Sequence, residues 1–332
     1  MGIYQRIAKR IRMTRDAYRT DSLFSRRLAR YRFVDDIGYR LHFYKAADRA
    51  HQKKDAYILS WLKEELAPVF DAYRGENAEM GGQCGTAPIW VCWWSGFDSA
   101  PDLVRQCVRS IYQNAGAHPV HFISEETCAE YLEVPDTIAE KVKNGSMGLA
   151  NFSDYLRFSL LAEYGGLWLD ATVFLSEEIP EAYFQMPVFT CRSAYAPRSC
   201  YISKMQWTSF IFGGQKGNIF FRCMKTLYEA YWKKADAAID YLLIDYLIFL
   251  VKEEVPQAGR DLEEIPVNNP RRDDLQAAMN AALPAEEFPD IVRPDTVFYK
   301  LSWRETYSEY TPDGTESVYG YFLRMDLGGR PA

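Results

Sequence analysis

The run Leu167–Leu175 reads LWLDATVFL, apolar except for Asp170 and Thr172, and it follows directly on a Gly165–Gly166 break that ends a helical stretch beginning near Ser153. An ionised carboxylate is costly to bury unless it is paired or holds a cation. A strand that carries one in such a run is expected to deliver it to a ligand, which makes Asp170 the first candidate for chemistry. The plainer alternative is an aspartate at a strand end or turn, but no turn signal follows it.

The segment before the glycines, Asn151–Tyr164, reads as a helix that Asn151 or Ser153 can cap. Asp154, Arg157 and Leu161 fall on one stripe of it. Asp154 and Arg157 are therefore adjacent side chains, expected near a helix N-terminus where free N–H groups and the helix dipole draw anions, and where a guanidinium adds a planar fork suited to phosphate. A surface i,i+3 ion pair is the competing expectation.

Upstream, turn signals and apolar periodicity predict a strand over Ile89–Trp94, a helix from Pro101 to about Asn114, a strand over His118–Ser124 and a helix over Glu125–Leu132. Such alternation implies an α/β fold with a parallel, doubly wound sheet, in which ligands bind at the carboxyl ends of the strands. Trp94 and Asp170 would both lie there. Residues 1 to about 74 read as mostly helical, and Gly75–Pro88 as a linker. Beyond residue 180 a strand is expected over Phe210–Gly214, with helices near 218–233 and 236–254. This gives a helical, basic N-terminal extension over 1–80, an α/β unit over 85–200, and a region over 201–332 that completes it.

Charge is uneven along the chain. Residues 1–50 hold 13 Lys and Arg against 5 Asp, although the whole chain carries a net charge of −6. Within the arm, Ile3, Tyr4, Ile7, Ala8, Ile11 and Met13 recur at helical spacing with Arg6, Lys9, Arg10 and Arg12 between them. That pattern suits an amphipathic helix drawn to an anionic membrane surface through residues 1–20, or a helix packed on its own domain. The acidic body and the lack of a reader motif argue against nucleic acid. The longest apolar stretch, Tyr241–Val251, is too short to span a bilayer and is interrupted by Asp245. Seven scattered cysteines without a C-x-x-C pair suggest neither a disulfide framework nor zinc, so a cytoplasmic setting is expected, peripheral to the inner face of the membrane if the arm binds lipid.

The string Ser153-Asp154-x-x-Arg157, followed by Tyr164-Gly-Gly-x-Trp168-x-Asp170-Ala-Thr172, resembles the capsular polysaccharide synthesis proteins, relatives of glycosyltransferase family 32 and more distantly of the large clostridial glucosylating toxins. Pro88–Gly96, Pro101–Val104 and Cys107–Ser110 extend the likeness, which covers residues 85 to 180 well. The resemblance implies a GT-A, Rossmann-like fold and transfer of a hexose from a nucleotide sugar, UDP-linked, to a saccharide or lipid-linked oligosaccharide acceptor. It implies that Trp93 or Trp94 stacks on the donor base, that Asp154 reaches ribose or sugar hydroxyls, and that Arg157 reaches the donor sugar or diphosphate. A helix acid in the region of Asp245 would face sugar or acceptor, and a C-terminal lysine, Lys300, would share in neutralising the phosphates. Retention of configuration, with the leaving phosphate helping to deprotonate the acceptor, is implied as well.

In the family's Asp-x-Asp motif both carboxylates address a divalent cation on the diphosphate. Here the motif reads Asp170-Ala171-Thr172, with a neutral hydroxyl in second place. One charged ligand fewer weakens affinity for Mn²⁺ or Mg²⁺ and leaves the need for a metal open. Two other readings remain: a non-catalytic sugar-nucleotide-binding scaffold of a polysaccharide assembly, and an enzyme of nucleotidyl or phosphoryl-sugar transfer.

Overall fold

In the computed structural model, residues 18, 21, 22, 24–76, 86–197, 200–283 and 291–328 are described. The basic segment Ile3–Met13 lies outside them. After helical positions at Tyr18, Asp21, Ser22 and Phe24, the chain runs through three helices, α1 (Arg26–Arg40), α2 (Tyr44–Glu65) and α3 (Ala67–Arg74). The α/β part then runs β1 (Ile89–Cys92), α4 (Asp102–Gln113), β2 (Val120–Ile123), α5 (Cys128–Tyr131), α6 (Asp136–Lys143), α7 (Leu149–Tyr164), β3 (Gly166–Asp170) and β4 (Val173–Leu175). There follow α8 (Glu181–Gln185), β5 (Val188–Phe189), β6 (Ile211–Gly214), α9 (Ile219–Lys234), α10 (Leu243–Glu254), α11 (Pro256–Glu263), α12 (Asp274–Ala278), β7 (Phe298–Lys300) and α13 (Val318–Arg324).

The main sheet has the order β2-β1-β3-β6-β5. Strands β1, β2 and β3 are parallel, as the alternation of elements predicts, with Cys92 opposite Asp170 at their carboxyl ends. The sheet as a whole is mixed, which corrects the expectation of an all-parallel one: β6 runs antiparallel to both β3 and β5. A parallel neighbour needs a crossover that carries the chain back to the starting end. Among the described residues of the connection from β5 to β6, residues 190–210, there is no helix or strand, and the chain returns in the opposite direction.

Strand alternation separates two cores. Ile89, Val91, Leu167, Leu169 and Ile211 point into one cluster, shared with α4, β4, β7 and α13. Trp90, Trp168 and Phe212 point into the other, shared with α7, α9 and α10 and also with Leu28, Ile58, Leu62 and Phe70 of the N-terminal helices. The sheet is thus covered on both faces, and a fully buried Leu or Val there contributes about 1.5–3 kcal/mol. No helix among the described residues is long and apolar enough to cross a membrane.

Helix α7 lies between the sheet and α9 and is apolar nearly all round, with Phe152, Tyr155, Leu156, Phe158, Leu160 and Leu161 all buried. It starts at Leu149, behind an N-cap Gly148 that makes no side-chain bond. Asn151 and Ser153 are therefore inside the helix rather than caps, and Asp154 and Arg157 lie beyond its free N–H groups. At its other end Gly165 (φ 70°) and Gly166 (φ 92°) turn the chain directly into β3. A Cβ on Gly166 would stand 2.0 Å from the Pro88 carbonyl oxygen, and one on Gly165 would stand 2.5 Å from the Lys216 nitrogen. Only glycine fits at this junction.

Candidate active site

Residues 168 and 170 share one face of β3 because side chains alternate along a strand. Trp168 and Asp170 therefore both look toward α7, where Arg157 is buried. The guanidinium lies 5.2 Å from the Trp168 ring centroid and joins two carboxylates. Nη1 donates to Asp154 Oδ1 at 2.8 Å and Nη2 to Asp170 Oδ1 at 3.0 Å. Trp168 Nε1 donates to the same Asp170 oxygen at 3.1 Å. From α9, Tyr228 Oη donates to the second oxygen of Asp154 at 3.3 Å. Asp154 and Arg157 form a buried floor, while Asp170 is partly exposed above them.

The second side of Asp170 is supplied from far along the chain. Strand β4 pairs antiparallel with β7, placing Val173 opposite Lys300, and the Leu301 nitrogen donates to the Thr172 carbonyl at 2.9 Å. Lys300 Nζ is thereby set 3.8 Å from Asp170 Oδ2 and donates to Thr172 Oγ1. It also lies 5.8 Å from the Phe210 ring centroid. Among the described residues no group of three or more His, Cys, Asp or Glu is placed to hold a metal ion.

Asp245 occupies the first turn of α10 and accepts from Trp207 Nε1 at 2.8 Å. Burial raises its carboxyl to about 6, against the lowering effects of Trp207 and Arg157. Burial likewise pushes Asp154 up to about 7; Arg157 pulls it back, and Asp170 and Asp245 add to the rise. The three acids are thus electrostatically linked around one guanidinium. With a folded value of about 7 against an ordinary 3.8, Asp154 takes up a proton on folding. Its contribution to stability is full below 3.8 and disappears as pH rises through about 7. Melting temperatures measured from about pH 5 to about pH 8 are therefore expected to fall more steeply in the parent than in Asp154→Asn. Parallel curves for the two proteins would contradict this assignment.

The model for capsular polysaccharide synthesis proteins matches residues 39–322. The chain belongs to that family. A search of curated proteins finds no match. Among solved structures the chain is similar to one titled PaToxG Glycosyltransferase, at 11% sequence identity and a TM-score of 0.32, covering 63% of this chain and 90% of that one. A likeness that weak says nothing about activity.

In this capsular synthesis protein the sequence-predicted residues Asp154, Arg157, Asp170, Thr172 and Lys300 come together at the carboxyl end of β3, and Asp245 is within electrostatic reach. The two tryptophans follow β1, which ends at Cys92 rather than at Trp94. They part to opposite sides of the sheet: Trp94 packs edge-on against Phe152 at 5.0 Å, and Trp93 edge-on against Trp303 at 5.7 Å. Trp93 Nε1 is buried and has no hydrogen-bond partner among the described residues. Sequence reasoning missed Tyr228 and Trp207, which hold the oxygens of Asp154 and Asp245. Both lie far from the motif in sequence, and neither has a spacing that would have marked it. Trp303 had a signal, three residues beyond Lys300 in an aromatic segment.

Proposed function

We propose that the protein is a glycosyltransferase of GT-A type that moves a hexose from a nucleotide sugar, UDP-linked, to a saccharide or lipid-linked acceptor in capsular or exopolysaccharide synthesis, with retention of configuration. The observation that carries this reading is the convergence of Asp154, Arg157, Asp170 and Lys300 at the end of a parallel strand, where open α/β sheets bind ligands. Breaking a sugar–phosphate bond leaves negative charge on the departing diphosphate and an oxocarbenium-like sugar. The site must meet that charge with fixed positive groups. Lys300, partly exposed on the rim, faces the place of the phosphates in this reading. Arg157 holds Asp154 and Asp170 in position for sugar hydroxyls, and Asp245 with Trp207 borders the acceptor side. The departing phosphate takes the acceptor proton, so no separate base is required.

The donor set fits a resident divalent cation poorly. One oxygen of Asp170 already accepts from Arg157 and Trp168, and the other faces Lys300; the Thr172 hydroxyl accepts from Lys300. Mn²⁺ and Mg²⁺ seek carboxylate and phosphate oxygens, and here a single carboxylate is already shared between two cations. In this reading the Lys300 ammonium supplies the charge that a metal supplies beside an Asp-x-Asp pair.

The test is a binding and turnover screen across nucleotide sugars, with EDTA or with Mn²⁺. Binding of a UDP-sugar and its cleavage at the sugar–phosphate bond are expected in both conditions. Lys300→Met is expected to lower turnover by about 10²–10³-fold. Replacing the base-stacking tryptophan, Trp93 or Trp94, with Ala is expected to weaken nucleotide binding by about 1–3 kcal/mol. Binding without cleavage would favour a scaffold, and cleavage between the phosphates would favour nucleotidyl transfer.

A further inference from the structure

Helix α1 presents an arc that carries no acid, with Asp36 just beyond its margin and paired to Arg40 at 2.8 Å. At 100° per residue, Arg26, Arg27, Arg30, Phe33, Val34, Ile37, Arg40 and Leu41 fall within an arc of about 140°. Phe33 is 45% exposed, Val34 44% and Leu41 58%. The stripe runs into the α1–α2 turn, where Phe43 is 64% and Tyr44 51% exposed. This turn is built rather than loose: the Phe43 nitrogen donates to Gly38 O at 2.8 Å, and Gly38 lies so close to Ala47 that a Cβ there would approach its side chain to 2.9 Å. The opposite side of the hairpin is what grips the body. Arg32 donates to Ile239 O at 2.7 Å and pairs with Asp240, and Tyr246 Oη donates to Asp55 at 2.6 Å. Over residues 26–54 nine Lys and Arg stand against three Asp, on a chain of net charge −6.

We propose that this face of α1, with the turn that follows it, lies in the plane of an anionic lipid surface. Exposed large apolar groups set between arginines, with no carboxylate on the same arc, match a bilayer interface whose headgroups are negative and whose edge is apolar. Arginine stems run along apolar surface while their heads stay wet, so both kinds of residue are served by one depth of burial. The acidic remainder of the chain is repelled by the same surface, which fixes which side faces the lipid. The proposal concerns a surface distinct from the site around Asp170 and stands independently of the transferase reading.

Sedimentation of the full chain with phosphatidylcholine vesicles, with and without a quarter phosphatidylglycerol, tests it. Binding is expected to the anionic vesicles only, and to weaken with added salt. The pair Phe33→Glu and Leu41→Glu, and separately the pair Arg30→Glu and Arg40→Glu, are each expected to weaken binding by about tenfold or more. Phe33→Ser with Leu41→Ser, which adds no charge, is expected to act in the same direction, and circular dichroism of each variant checks its fold. Absence of vesicle binding by the parent overturns the proposal. So does binding that all three pairs leave unchanged, whether or not removal of residues 1–20 abolishes it. Loss of self-association in the apolar variants with vesicle binding unchanged would instead identify the face as a contact between copies of this chain.

Discussion

Asp170→Asn is expected to lower the rate of transfer by about 10²–10³-fold or more while the protein remains folded. The packing of β3 is set by Leu167, Trp168 and Leu169, all buried, and the Asp170 backbone nitrogen still donates to Phe210 O. Asparagine keeps the shape and one acceptor oxygen for Arg157 and Trp168 but removes the charge that balances Arg157 and Lys300. Because Asp170 is partly exposed, its loss is expected to cost about 1–3 kcal/mol of stability rather than the fold. Turnover within a few-fold of the parent would remove Asp170 from the site.

Arg157→Lys is expected to have an effect of similar size on turnover and a larger one on stability. Had the pair been an exposed i,i+3 bridge, either partner would be worth about 0–1 kcal/mol. The guanidinium is instead buried and spans two carboxylates from two elements, a geometry that a point charge on a flexible stem cannot reproduce. Truncation to Ala leaves Asp154 without its cation and, above about pH 7 where that buried carboxyl is ionised, is expected to cost about 3–5 kcal/mol. Lysine keeps the charge and is expected to recover part of that stability but little of the turnover. Comparing melting temperature with kcat for the Lys and Ala variants separates positioning from folding. Normal turnover in Arg157→Lys would show that the fork is not needed.

The neighbourhood of Asp154, Arg157 and Asp170 was legible in the sequence because each link in it is local: an i,i+3 spacing on a helix, two glycines that permit only an abrupt reversal, and a short strand. Strands β1 and β2 and helix α4 were legible for the same reason, from proline, glycine and apolar periodicity; the run Leu167–Leu175, read as one strand, is instead broken by a turn at Ala171–Thr172 that leaves Asp170 at the end of β3. The start of α7 was not, since a helix buried on nearly every side loses the stripe that marks its ends, and Asn151 resembles a cap although Gly148 fills that place. The direction of β6 was hidden because it depends on a return over 190–210 whose described residues form no crossover helix. Lys300 was visible through family resemblance alone; its hydrogen bond to Thr172 depends on a strand pairing that residues 298–300 do not advertise.

The pairing of β4 with β7 has a consequence for the order in which the site is made. A ribosome releases Asp170 and Thr172 more than a hundred residues before Lys300. Until β7 emerges, β4 keeps an open edge of buried-type residues, Val173, Phe174 and Leu175, which is the kind of surface that joins wrong partners. The nascent chain thus holds Asp154, Arg157 and Asp170 before the ammonium that adds to their charge, and the arrival of β7 both covers the open edge of β4 and completes the charge of the site.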